Sequence, residues 1–134
     1  MKKTFSITVL LSLLVIVLAA CSSGPETTSI TVDMADFSFN PAQVSVPAGS
    51  EVELNLSNSG TLEHEWVVML LGQEATAPFD DDDEANLYWE AELEPGDSQT
   101  FTFTAPEEPG EYQLVCGTAG HLEAGMVGNL TVTE

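Results

Sequence analysis

The stretch from Glu111 to Val132 constrains this chain more than any other. Glu111-Tyr112-Gln113-Leu114 alternates polar and apolar residues, as a strand with one buried face does, and the run from Met126 to Val132 alternates again. Between these two runs, Cys116, His121 and Met126 fall at Cys-x4-His-x4-Met spacing. A thiol, an imidazole and a thioether therefore share one loop whose two ends are both held by β-structure.

Thiolate, imidazole and a long thioether form a donor set suited to copper cycling between Cu(I) and Cu(II). The set lacks a second imidazole, and the chain holds one further histidine, His64. Taken singly, each residue has a plainer reading: His64 as a capped strand residue, Cys116 as a small buried hydrophobe, Met126 as core filler. Their joint occurrence, at this spacing and between strands, favours a metal site.

The start of the chain reads differently from the rest. Lys2 and Lys3 precede an apolar run from Ile7 to Ala20, broken only by Thr8 and Ser12, as in a secretory leader. Leu18-Ala19-Ala20-Cys21 resembles the lipobox of bacterial lipoproteins. That resemblance implies cleavage before Cys21 and a diacylglyceryl group on its sulfur. A leader cut after Ala20 without lipidation, or an uncleaved anchor, are the alternatives. The expected organisation is a lipoprotein signal over 1–20, a lipidated cysteine and flexible tether over 21–28, and one copper-binding domain over 29–134. A Cys21–Cys116 disulfide is the bland alternative for the two cysteines. It is disfavoured because the lipobox claims one of them and ligand neighbours surround the other.

Charge narrows the function further. Both lysines lie in the leader and all 22 acids lie after it, so the remaining chain has no Lys or Arg. Nucleic acid is excluded as a partner on electrostatic grounds. Stability has to come from packing, hydrogen bonds and metal.

Along the domain, Ile30, Val32 and Met34 alternate with polar residues, as do Val52, Leu54 and Leu56, and Phe101 and Phe103. Asn40-Pro41, Pro47-Ala48-Gly49, Asn58-Ser59-Gly60 and Pro109-Gly110 mark turns. His64, Trp66, Val68 and Leu70 would share one strand face, with Val67, Met69 and Leu71 making the other face apolar too. Such a strand is central in its sheet or covered by the next segment of chain. That segment, from Gly72 to about Pro95, lacks clear alternation and reads as a flap, with helical turns expected between Ala85 and Leu93. Its run Asp80-Asp81-Asp82-Asp83-Glu84 lacks the spaced pattern of a calcium loop and reads as a solvated charged loop. About seven short strands and very little helix predict an all-β Greek-key sandwich with a short helical or irregular flap.

The sequence resembles the cupredoxins, the type 1 blue copper family, and most of all their auracyanin-like and plastocyanin-like members. The matching pieces are Phe39-Asn40-Pro41 leading to Val46-Pro47-Ala48-Gly49, and Asn58-x-Gly60 ahead of His64. Pro109-Gly110-x-Tyr112 ahead of Cys116, then Gly120-His121 and Ala124-Gly125-Met126, complete the set. The resemblance implies that His64, Cys116 and His121 are equatorial ligands of one type 1 copper ion, with Met126 the weak axial one. Three pieces differ from the family's usual pattern. Glu65 stands where Asn usually follows the first histidine and pins the ligand loops together. Gly117 stands where Ser or Thr usually follows the cysteine. No proline precedes Gly120-His121.

The expected function is single-electron transfer by Cu(I)/Cu(II) cycling, without enzymatic activity, in an extracytoplasmic protein anchored by its lipid to a bacterial membrane. The expected partners are redox proteins with a basic docking surface, such as a c-type cytochrome or a membrane oxidoreductase. The expected meeting point is the edge of His121, brought to the surface among Gly120, Leu122 and Gly125. Storage or delivery of copper to an extracytoplasmic cuproenzyme is the alternative. An enzyme with an open copper site, using Glu63 or Glu65, finds no second copper motif or base–nucleophile pair in support. A metal-free adhesion sandwich leaves Cys116 unexplained.

Overall fold

The computed structural model describes residues 26–134. The expected leader and the expected lipidation site, Cys21, lie outside the described residues. In chain order the elements are β1 (Thr27–Ala35), β2 (Ser38–Asn40), β3 (Gln43–Pro47), β4 (Glu51–Asn58), β5 (His64–Met69), α1 (Asp81–Glu84), β6 (Leu87–Leu93), β7 (Ser98–Thr104), β8 (Gly110–Val115) and β9 (Val127–Thr133). They form two sheets, ordered β2-β1-β4-β7 and β3-β9-β8-β5-β6. The all-β sandwich expected from the alternating runs is the fold observed.

Alternation explains which side chains meet between the sheets. In β4 the residues Val52, Leu54 and Leu56 are buried while Glu51 and Glu53 face water. In the second sheet Trp66, Val68, Leu114 and Leu130 point into the same core. β1 starts at Thr27, ahead of the expected boundary at Ser29, because Thr27 and Thr28 already pair in parallel with Glu51 and Val52.

β5 has both faces covered, as its uninterrupted apolar run implies. One face joins the main core; on the other, Val67 and Met69 pack with Ala75 and Val115, and Phe79, Leu87 and Leu122 close over them. The covering segment is the expected flap, but its inner structure differs from expectation. Leu87–Leu93 is not helical: it is the edge strand β6, antiparallel to β5, with Ala91 and Leu93 buried. The helical turn falls instead on the acidic run. Asp80 caps it by accepting from the Asp82 N–H, and Asp83 accepts in return from the Asp80 N–H. Acids in a first turn also suit the positive end of a helix dipole. Asp83 is buried and accepts from the Thr76 N–H as well, so this part of the run is a structural cap, not a solvated loop.

Candidate metal centre

His64 opens β5, Cys116 directly follows β8, and Met126 directly precedes β9. Pairing of Val67 with Val115 and of Leu114 with Gly128 brings these strand ends together at one end of the sandwich. The loop between Cys116 and Met126 is closed by its own backbone. The Cys116 N–H donates to the Met126 carbonyl at 3.1 Å and the Met126 N–H to the His121 carbonyl at 3.0 Å. Thr118 ties this loop to the other one, its hydroxyl donating to the Glu63 carbonyl.

Three donor atoms converge. His64 Nδ1 lies 3.1 Å from His121 Nδ1, Cys116 Sγ lies 3.3 Å from His121 Nδ1, and Cys116 Sγ lies 3.9 Å from His64 Nδ1. A point equidistant from the corners of that triangle stands about 2.0 Å from each, the length of a first-row metal–imidazole bond and somewhat short of a metal–thiolate bond. His64, Cys116 and Met126 are fully buried, and His121 is 4 % exposed. Met126 also lies within the core cluster that contains Cys116. A thiolate with two imidazoles, closed to water, fits copper in either oxidation state. The pairing of two Nδ1 atoms at 3.1 Å points the same way: two lone pairs that close require either a proton or a cation between them.

The surroundings tune these donors. The Glu65 N–H lies 3.4 Å from Cys116 Sγ and donates to it. Burial, and then the neighbouring His64, hold the His121 imidazole below the ordinary histidine range. The Glu65 side chain is pushed up to about 7, by burial first and then by the charges of Glu90 and Glu92. Glu63, Glu65 and Glu92 bring their carboxylates together in a group distinct from the donor triangle. The alternative of an open copper site with Glu63 or Glu65 as ligand finds neither carboxylate grouped with Cys116 and the two histidines.

His121 does not reach the surface as expected. Phe37 stands edge-on to its ring, with centroids 5.2 Å apart and planes at 86°, and is itself 44 % exposed. The apolar surface over the site is thus Phe37, carried on the turn between β1 and β2 at φ 64°. Leu122 turns away into the small cluster beneath the flap.

Sequence reasoning missed a second contact from that turn. Asp36 Oδ1 lies 3.2 Å from His64 Nε2. The carboxylate also accepts from the N–H and the hydroxyl of Thr61, both at 2.8 Å, and these bonds, led by the N–H, lower its pKa to about 2. No spacing rule connects Asp36 with a histidine on another strand. Asn58 builds the connection from β4: its side chain accepts from the Gly60 N–H and donates to the carbonyls of Leu62 and Leu93.

Residues 7–132 match a family model described as a cupredoxin-like domain. The chain is 33 % identical over 111 residues to auracyanin-B of Chloroflexus aurantiacus, covering 71 % of this chain and 47 % of that protein. It is 29 % identical over 111 residues to the copper-resistant cuproprotein CopI of Rubrivivax gelatinosus, covering 78 % of this chain and 66 % of that one. It thus spans about half the length of the first relative and about two thirds of the second. Among solved structures, dithionite-reduced auracyanin of Roseiflexus castenholzii superposes with a TM-score of 0.69 at 28 % identity, over 83 % of this chain and all of that one.

Proposed function

The chain belongs to the cupredoxin-like family, and from that premise we propose that it is a blue copper protein carrying single electrons between redox partners at a membrane surface. The observation that carries this reading is the closed triangle of His64 Nδ1, Cys116 Sγ and His121 Nδ1. Bound copper supplies a one-electron couple there. His64, Cys116 and His121 would hold it, and Met126, buried in the same core cluster as Cys116, would be a weak fourth donor. The sandwich keeps those donors in place through both β8 and β9, and burial leaves no open position for a substrate. The protein would take one electron from a reduced donor and hand it to an oxidised acceptor, with Phe37 as the apolar contact over His121.

The anchoring part of the proposal rests on sequence. Lys2 and Lys3, the apolar run to Ala20 and the lipobox-like Leu18-Ala19-Ala20-Cys21 support cleavage before Cys21 and lipidation of its sulfur. The domain would then hang from an extracytoplasmic membrane face by a short polar tether. Exposed acids on β4 and β6, with no cation to balance them in the domain, suit a partner with a basic surface, such as a c-type cytochrome or a membrane oxidoreductase.

Mixing the oxidised, copper-loaded protein with a reduced basic c-type cytochrome tests this reading. Stoichiometric, one-electron oxidation of the cytochrome supports it, and no transfer over minutes argues against it. The similarity to CopI favours a second reading, storage or delivery of copper. That reading predicts ready loss of Cu(I) to a competing chelator, which a carrier with a buried site resists.

A further inference from the structure

The turn that joins β1 to β2 consists of Asp36 and Phe37, and it touches both imidazoles of the site: Asp36 meets His64 and Phe37 meets His121. We infer that Asp36 is a positioning residue of the metal centre, which takes the Nε2 proton of His64 as its hydrogen bond, commits the Nδ1 lone pair of that ring to the metal, and favours the more highly charged ion. The inference rests on the copper reading above and adds a residue to it.

A carboxylate can only accept, so a neutral His64 that faces Asp36 through Nε2 must carry its proton there. Its other nitrogen is then an unprotonated donor, and Nδ1 is the atom that faces Cys116 and His121. The carboxylate is not free to swing away. Thr61 holds Oδ1 with its N–H and Oδ2 with its hydroxyl. The backbone passes closely over the pair at Gly60, where a Cβ would collide with Asp36 Oδ1 and stand 2.8 Å from His64 Nε2. Position 60 therefore has to lack a side chain for the contact to exist. A carboxylate behind a ligand histidine orients the ring and fixes its tautomer. Its negative charge, two-thirds shielded from water, stabilises Cu(II) more than Cu(I) and so lowers the reduction potential.

The test uses Asp36→Asn and Asp36→Ala in the full chain. Asn keeps an oxygen for Thr61 and for Nε2 but removes the charge. Copper-loaded Asp36→Asn should bind Cu(II) about tenfold more weakly, with Cu(I) affinity changed less than about twofold; for a one-electron couple a tenfold ratio is a rise of about 59 mV. Equal weakening of both ions marks a merely structural role and overturns the inference, as does no change in either. Nitrogen-15 NMR of the metal-free protein decides the matter independently of copper. The parent should carry the His64 proton on Nε2, and Asp36→Ala should lose that preference. A parent with the proton on Nδ1 overturns the inference, even if the variants fail to fold. A parent that binds no copper rejects the copper reading instead, and the NMR result still decides the role of Asp36.

Discussion

The carboxylate of Glu65 occupies the space that a side chain at Gly117 would need. A Cβ at position 117 would overlap Glu65 Oε2 and stand 3.3 Å from Glu65 Cδ and 3.2 Å from Phe79 Cε1. Continuing the Val67–Val115 register sets these two residues opposite each other. The two departures from the family's usual residues, Glu65 and Gly117, thus share one space. Gly117→Ser alone should destabilise the protein by about 1–3 kcal/mol through overpacking. Adding Glu65→Asn should recover at least about 0.5 kcal/mol of that loss. Chemical unfolding of the four variants measures the coupling, and strictly additive costs would show that the two side chains do not compete.

Phe37 covers His121 from a backbone conformation that bulky residues avoid, at φ 64°. Phe37→Gly relieves a strain of about 1–3 kcal/mol. It gives up an edge-on aromatic contact worth about 0.5–1.5 kcal/mol. Stability should stay within about 1 kcal/mol of the parent while loss of Cu(I) to a chelator speeds several-fold. A variant that loses copper no faster shows that Phe37 is not a cover for the site.

Tyr112 donates to the Glu108 carbonyl at 2.7 Å from a buried position. Burial, and then the charge of Glu108, push its hydroxyl above the ordinary tyrosine value. The folded state therefore keeps this proton at pH values where the unfolded chain has lost it. That contribution is complete below about pH 10 and is lost as pH rises through the raised value. Tyr112→Phe should cost about 0.5–1.5 kcal/mol at neutral pH. The gap between parent and variant should narrow above about pH 10 in alkaline unfolding curves. A gap that stays constant into that range would exclude Tyr112 as the titrating group.

Partner encounter should depend on salt. The domain carries acids at Glu90 and Glu92 on the exposed side of β6, and at Asp81 and Asp82 on the helical turn. Such a field speeds approach of a basic cytochrome and is screened over about 8 Å at physiological ionic strength. Stopped-flow transfer rates should fall as salt rises, and neutralising Asp81, Asp82, Glu90 and Glu92 should flatten the dependence. Asp83 has to be left alone, since it is a buried cap. A flat or rising rate for the parent protein rejects steering by these acids.

How much of this was legible in the sequence depends on distance along the chain. Cys116, His121 and Met126 share one loop, and His64 is the one other imidazole, so local spacing and a short inventory suffice to assemble the site. The two-sided burial of β5 was legible for a similar reason, because Val67 and Met69 are apolar where alternation would make them polar. Leu87–Leu93 carried a strand signal as well, with Trp89, Ala91 and Leu93 alternating against Glu90 and Glu92. The stretch from Gly72 to Pro95 as a whole lacks clear alternation, and pairing with β5 is what makes this part of it a strand. Asp36 was not legible at all. Its partner lies on another strand, and the contact depends on a bare backbone at Gly60 and on two bonds from Thr61. The positive φ that lays Phe37 over His121 has no signature in composition.

The visible absorption spectrum of the oxidised, copper-loaded protein tests the central claim most directly. A thiolate in the donor set predicts an intense blue or green thiolate-to-copper charge-transfer band that saturates at one copper per chain. Cys116→Ser should abolish the band. Met126→Gln should keep a coloured site at lower potential, because an axial donor tunes the metal without holding it. A protein that binds copper under oxidising conditions yet stays colourless, or whose colour survives Cys116→Ser, would contradict the account.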